Sequence, residues 1–416
     1  MMAPVPPLGA LDSLETFNDV ALVCSAAVVL AIVGRMAAER LRIPAAALLL
    51  VLAALASDLF PELNRSFGIE EVQWVTSAAL IVILFDGGLH IGLARFRAAA
   101  WEIAALGVLG TFATAGLVAV AVHTLLDLSW MTSGLIGAAI APTDPAVTFS
   151  VLAGKEVEGR SGTILEGESG FNDPVGIALM IGLVELATTD GGSFSIVVEE
   201  FAVEMLVGLA VGVVGGIAML RVMRHVALPN RALYPIQALA LAGVVFGVAA
   251  LLHGSGFLAV FVAGILVGDG PVRFEEEIER VGGALASLGE LAAFVALGLT
   301  VDLTFLAEEG LLLDGVLLAA ALAFVIRPLV VGPLLLPSRL GWGERGFVVW
   351  SGLKGAVPIL LASLAVVGGA DQAAEVYGIV FVVVLFSVLV QGTGVPIVAR
   401  RLGVPMHADA DGDQAS

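Results

Sequence analysis

Ala141-Pro142-Thr143-Asp144-Pro145 interrupts an apolar stretch that begins near residue 130. Two prolines three apart remove backbone donors, so a helix is expected to break here, freeing carbonyls and leaving a half-helix N-terminus. A second stretch, Gly352-Leu353-Lys354-Gly355-Ala356-Val357-Pro358, interrupts a later apolar run in a similar way. At membrane depth such backbone survives only beside a cavity or inside protein, and paired interruptions in matching halves point to an ion or substrate site.

The surrounding composition places both stretches in a bilayer. The 416 residues are 59% hydrophobic and 14% charged, with a mean hydropathy of +1.03, well beyond a soluble domain. Runs such as Val203–Leu220, with one acid, have the length needed to cross roughly 30 Å of hydrocarbon. Fifty glycines suit close helix packing where lipid offers no hydrophobic drive. The net charge of −19 argues against nucleic-acid binding. The single cysteine, Cys24, excludes an internal disulfide and reads as an inert thiol in an apolar run. No basic segment precedes the first apolar run, so that run is expected to be retained as a span.

Apolar runs set against charged breaks predict an all-α polytopic membrane protein of about thirteen helices. The spans begin near residues 18, 43, 72, 99, 130, 163, 201, 233, 255, 281, 311, 345 and 375. With the N-terminus outside, sixteen of the nineteen basic residues fall in inside loops. These are Arg35, Arg40 and Arg42; Arg95 and Arg97; Lys155 and Arg160; Arg221, Arg224 and Arg231; Arg273 and Arg280; Arg339 and Arg345; and Arg400 and Arg401. The outside loops hold only Arg65 and are acidic, which sets an N-out, C-in orientation in a cell membrane. Arg327 and Lys354 remain, both inside apolar spans. Residues 1–401 read as a single transport domain, with inverted repeats over about 18–190 and 233–399 and interruptions in spans 5 and 12. Residues 402–416 read as a short, acidic, disordered cytoplasmic tail, with no regulatory domain after it. No GxxxxGK[ST] motif points to ATP, and no cofactor or enzymatic chemistry is implied.

An ionisable group at the bilayer centre costs about 2.5–3.5 kcal/mol on insertion scales, so it needs a partner or a function. The densest cluster is Glu168-Ser169-Gly170-Phe171-Asn172-Asp173-Pro174 in the sixth span. Glu168 with Asn172, and Ser169 with Asp173, are four apart and share a helical face, which must line a cavity. Counting at 1.5 Å per residue from the inner end, Asp173 lies roughly 15 Å deep, near the midplane. A purely structural hydrogen-bond network is the blander reading, though neutral residues would build one more cheaply. Asp144 is expected to neutralise half-helix N-termini, Lys354 to offset the negative ends of the other break, and Glu168 to pair with Arg327. Asp86, in Phe85-Asp86-Gly87-Gly88-Leu89, suits equally a capping role at a span end or a part in the ion path. His90, His123, His225, His253 and His407 lie at span ends or in the tail without metal-ligand spacing, and surface roles are expected for them.

At these residues the chain resembles the cation:proton antiporter family of sodium/proton exchangers, which includes a bacterial potassium/proton branch. The carriers, in the family's order, are Thr143-Asp144-Pro145, Glu168 to Pro174, Arg327-Pro328 and Gly352-Leu353-Lys354-Gly355-Ala356. The resemblance implies that Asp173 binds sodium or potassium and a proton in turn, with Ser169 and Thr143 as further oxygen ligands. It implies that the Asn172–Asp173 pair marks electroneutral exchange, that Glu168 and Arg327 form an ion pair, and that the protein is a homodimer whose core domain moves against a dimerisation domain. Phe85-Asp86-Gly87-Gly88-Leu89 is similar to the potassium branch. Lys354 stands where the family commonly has arginine, which puts a bidentate role there in doubt. Competing readings are a sodium-coupled organic-anion symporter, using Lys354 and Arg327, and an intramembrane aspartyl protease, whose GxGD-type motif is absent.

Overall fold

In the computed structural model the described residues are 25, 29, 32–38, 40, 43–60, 68–150, 152, 155–157, 159–189 and 191–408. Cys24, Arg65, the start of the first predicted span and residues 409–416 lie outside them. Residues 32–38 are helical. The helices that follow are α1 (Ala45–Leu59), α2 (Ile69–Ala98), α3 (Ala100–Leu126), α4 (Trp130–Ile140), α5 (Pro145–Ser150), α6 (Arg160–Thr188) and α7 (Ser195–His225). Then come α8 (Leu233–Leu251), α9 (Gly256–Gly268), α10 (Glu275–Leu299), α11 (Leu303–Glu308), α12 (Leu311–Leu335), α13 (Trp342–Trp350), α14 (Ala356–Val367) and α15 (Ala373–Leu402).

Among the described residues eight helices are long and apolar enough to cross a membrane: α2, α3, α6, α7, α8, α10, α12 and α15. Four shorter apolar helices, α1, α4, α9 and α14, accompany them. The protein is therefore a multi-pass helical membrane protein. From the second span onward, each start read from the sequence falls within six residues of an observed helix start, because charge, proline and glycine punctuate the apolar runs.

Local chemistry explains several of these starts. The Ser129 side chain accepts a hydrogen bond from Thr132 N (3.1 Å) to cap α4, and Ser255 accepts one from Leu258 N (3.3 Å) to cap α9. Asp302 accepts one from Phe305 N (2.9 Å) at α11. Gly403, at φ 64°, ends α15 in the left-handed conformation that glycine adopts most readily.

Helix contacts use missing side chains. A Cβ on Gly88 of α2 would collide with the Phe261 carbonyl of α9, and one on Gly264 would collide with the Phe85 carbonyl, so the two backbones touch. The inner layer is formed by α6, α14 and α15: nearly every residue of α14 is buried, and Val380–Val384 of α15 are buried all round. By contrast α7 and α8 present many exposed Leu, Ile and Val side chains, as expected of helices bathed in lipid.

Two features depart from the all-α expectation and from a disordered tail. Strand β1 (Lys155–Val157), in the loop between α5 and α6, pairs antiparallel with β2 (Met406–Ala408), with Val157 opposite Met406 and Lys155 opposite Ala408. The tail is thus ordered as far as residue 408. Three residues of pairing leave no period in the sequence, and their partner lies some 250 positions away, so only tertiary proximity creates the pair.

Candidate functional site

Proline chemistry builds the first half of the site. Helix α4 ends at Ile140, Ala141–Asp144 are non-helical, and α5 starts on Pro145, the ring being compatible with a first helical turn. In the later stretch α13 ends at Trp350, residues 351–355 are non-helical, and α14 starts at Ala356. The two irregular segments lie against each other. Asp144 N donates to Leu353 O at 2.8 Å, and the Thr148 hydroxyl donates to Ser351 O at 3.1 Å. Gly355 is required at this meeting, since a Cβ there would overlap the Asp144 carboxylate.

Each exposed helix end receives a cation. The carbonyls at the end of an α-helix lack intrahelical partners and carry partial negative charge. Lys354 Nζ donates to Ala141 O at 2.9 Å and to Pro142 O at 2.8 Å, closing the end of α4. Arg327 does the same for α13, with Nε donating to Val349 O at 2.9 Å and Nη2 to Val348 O at 3.1 Å. Arg327 also grips Glu168, Nη1 to Oε1 at 2.9 Å and Nη2 to Oε2 at 3.2 Å, in the two-pronged geometry a guanidinium favours. A Cβ on Gly352 would overlap this guanidinium.

The polar face of α6 completes the cluster. Glu168, Ser169, Asn172 and Asp173 are all buried. Asn172 clasps the first interruption, Nδ2 donating to Thr143 Oγ1 at 2.8 Å and Oδ1 accepting from Thr143 N at 3.3 Å. The next residue, Asp173, has the hydroxyl of Ser169, one turn earlier, within hydrogen-bonding reach and Asp144 and Lys354 as charged neighbours. Its Oδ1 is buried and meets no hydrogen-bond donor among the described residues. Pro174 follows inside the helix and donates no hydrogen bond to the Gly170 carbonyl. A buried carboxylate with an unused oxygen, beside the Ser169 hydroxyl, can bind a monovalent cation or a proton.

Of the residues singled out from sequence, Thr143, Asp144, Glu168, Ser169, Asn172, Asp173, Arg327 and Lys354 gather here. Asp86 stands apart from this hydrogen-bond network. It lies on α2 beside His90, Oδ2 3.5 Å from Nδ1, with its Oδ1 against Gly282 of α10.

Several participants escape the motif reading. Lys354 N donates to Ser387 Oγ at 3.0 Å, Ser387 Oγ donates to Gln391 Oε1 at 2.9 Å, and Trp350 Nε1 donates to Gln391 O at 3.3 Å. Glu290 on α10 has Asp144 and Arg35 as charged neighbours. Glu102 on α3 pairs with Arg160 at the start of α6 at 2.8 Å. An acid well inside an apolar run, the signal that marks Asp173, also marks Glu290. Ser387 and Gln391 give no such signal, because uncharged polar residues are common in membrane helices.

The chain is 31% identical over 377 residues to a K(+)/H(+) antiporter NhaP2 of Shewanella oneidensis, a match covering 88% of this chain and 64% of that protein's length. The chain therefore spans a little under two thirds of that relative. It is 32% identical over 405 residues to a K(+)/H(+) antiporter NhaP of Alkalimonas amylolytica, covering 96% of this chain and 70% of the relative. It is 27% identical over 358 residues to a Na(+)/H(+) antiporter NhaP of Pseudomonas aeruginosa, covering 79% and 81%. In fold it matches the sodium proton antiporter MjNhaP1 of Methanocaldococcus jannaschii at pH 8, with a TM-score of 0.80, 22% identity, and coverage of 94% of this chain and 99% of that one. The transmembrane model of the sodium/hydrogen exchangers matches residues 26–401, and on that span, which contains every residue of the buried cluster, the chain belongs to the sodium/hydrogen exchanger transmembrane family.

Proposed function

We propose that this protein is a secondary antiporter that exchanges a monovalent cation for a proton across the cell membrane, with both competing for Asp173. The observation that carries this reading is the unpartnered, buried Oδ1 of Asp173 at the crossing of two interrupted helices. Arg327 is engaged with Glu168 and the end of α13, and Lys354 with the end of α4. Asp173 is left as the acid able to take a single positive passenger. An uncompensated charge at that depth is costly, so the site is expected to reorient only when loaded with one cation or one proton. One charge then replaces one charge, and exchange is electroneutral. Ser169 and Thr143 supply further oxygens, Asn172 orients Thr143, and Asp86 lies at the inner end of the path.

Thirteen spans, with α4–α5 and α13–α14 as discontinuous fifth and twelfth spans of inverted repeats, suit this mechanism. The same reading has residues 1–401 as one transport domain, the N-terminus outside, the C-terminus in the cytoplasm and a homodimeric assembly. The higher identity to the potassium/proton relatives makes potassium the first cation to test, with sodium and lithium beside it. An organic-anion symporter is disfavoured, because neither buried basic group is left to receive a carboxylate.

Proteoliposomes with an entrapped pH dye test the proposal. Adding potassium or sodium should move protons out through the native protein, and Asp173→Asn should abolish the signal while keeping a monodisperse protein. Robust exchange by Asp173→Asn would remove that side chain from the mechanism.

A further inference from the structure

Three π-helical turns occur among the described residues, and each adjoins a segment of the site. The turn Ala105–Gly110 in α3 packs Gly107 onto α6, where an added Cβ would meet Phe171 and the Glu168 carbonyl. The turn Leu322–Ile326 in α12 runs directly into Arg327. The third, Ser387–Gly392 in α15, faces the irregular segment that carries Lys354. Such wide turns interrupt regular i to i−4 bonding and recur at functional sites.

The third turn makes the most specific contacts. Ser387 and Gln391 are buried, at 1% and 4% exposure, and their hydrogen bonds join them to each other, to Lys354 and to Trp350. Ser387 Oγ accepts from Lys354 N (3.0 Å) and passes its own hydrogen to Gln391 Oε1 (2.9 Å). The Gln391 carbonyl accepts from the indole of Trp350, the last residue of α13 (3.3 Å). The backbone of Lys354 is thus anchored from behind while its side chain spans forward to the Ala141 and Pro142 carbonyls. We infer that Ser387 and Gln391 are positioning residues for ion exchange: they hold the Lys354 ammonium on the end of α4 and keep it from occupying the free oxygen of Asp173.

The consequence follows from reach and charge. Lysine is a flexible point charge, held by its hydrogen bonds and by the backbone it springs from. With the Ser387 anchor removed, the 351–355 segment can shift, and Asp173, already a charged neighbour of Lys354, offers the ammonium an unpartnered carboxylate oxygen. An ammonium there competes with the transported cation. The loss should therefore appear as weaker apparent cation affinity rather than as a lower maximal rate. This inference rests on the exchange proposed above.

The experiment measures cation-driven proton flux in proteoliposomes over a range of potassium and sodium concentrations, with thermal stability of each purified protein in parallel. Ser387→Ala should raise the apparent cation KM by about three- to tenfold, the scale of one lost buried hydrogen bond, with maximal rate near native. Ser387→Thr keeps the hydroxyl and should restore the native KM. Gln391→Met, which keeps the volume and removes the acceptor, should raise KM in the same direction by a smaller factor. An unchanged KM in Ser387→Ala, or a fall in rate and stability at constant KM, would overturn the inference. If Ser387→Ala does not fold, an unchanged KM in Gln391→Met does so instead. No flux from the native protein would reject the exchange reading itself, an outcome distinct from these.

Discussion

Arg327 and Glu168, 159 positions apart, form a two-pronged ion pair in which both side chains are almost fully buried, and the same guanidinium closes the end of α13. A buried pair of this kind is costly to assemble and more costly to break, because the surviving partner keeps its charge without compensation.

Glu168→Leu is therefore expected to destabilise the protein by roughly 3–5 kcal/mol, seen as a large fall in the thermal transition followed by size-exclusion chromatography. Glu168→Leu combined with Arg327→Leu should lose less than the two single changes added together. Strict additivity would mean that the two charges do not depend on each other.

The side-chain amide of Asn172 bonds to Thr143 twice, Oδ1 accepting from Thr143 N and Nδ2 donating to Thr143 Oγ1. Asn172→Leu keeps the volume but releases Thr143 from the site, and a rise of about tenfold in apparent cation KM is expected from the lost pair of bonds. Saturation curves for proton release in proteoliposomes provide the check, and a native KM would place Thr143 outside the ligand set.

Exchange at one acid moves one charge each way. Imposing a diffusion potential of either sign across the proteoliposomes should leave the initial rate of exchange unchanged. A rate that follows the potential would require a second transported charge and would point to a further acid, with Glu290, a charged neighbour of Asp144, as a candidate.

Gly355 and Gly352 are predicted to be intolerant of a methyl group. Gly355→Ala would drive a Cβ into the Asp144 carboxylate, and Gly352→Ala would drive one into the Arg327 guanidinium. Overpacking typically costs about 1–3 kcal/mol, and here both displaced groups are charged, so loss of monodisperse protein is expected in each case. Gly116→Ala, a site in α3 where an added Cβ meets nothing within 4 Å, is the control that should behave as native.

Orientation is tested by cysteines introduced after replacing Cys24 with serine. Gly310→Cys, before α12, should react with an impermeant maleimide added to intact cells, and Gly270→Cys, after α9, only after permeabilisation. The reverse pattern would invert the topology drawn from the basic loops.

The sequence by itself determined the class of molecule and the outline of its helices. Hydrocarbon admits no unpaired backbone, so apolar length, charge placement and proline breaks leave few alternatives. It also marked the main charged residues of the cluster, because an ionisable side chain at that depth needs a reason. Tertiary structure alone decided how they are divided: Arg327 to Glu168 and α13, Lys354 to α4, and Asp173 with an oxygen left over. It also decided that Ser387 and Gln391 stand behind Lys354 and that residues 406–408 pair with 155–157. Hydrogen bonds of about 3 Å between groups distant along the chain depend on how the helices pack, and neither period nor composition encodes that distance.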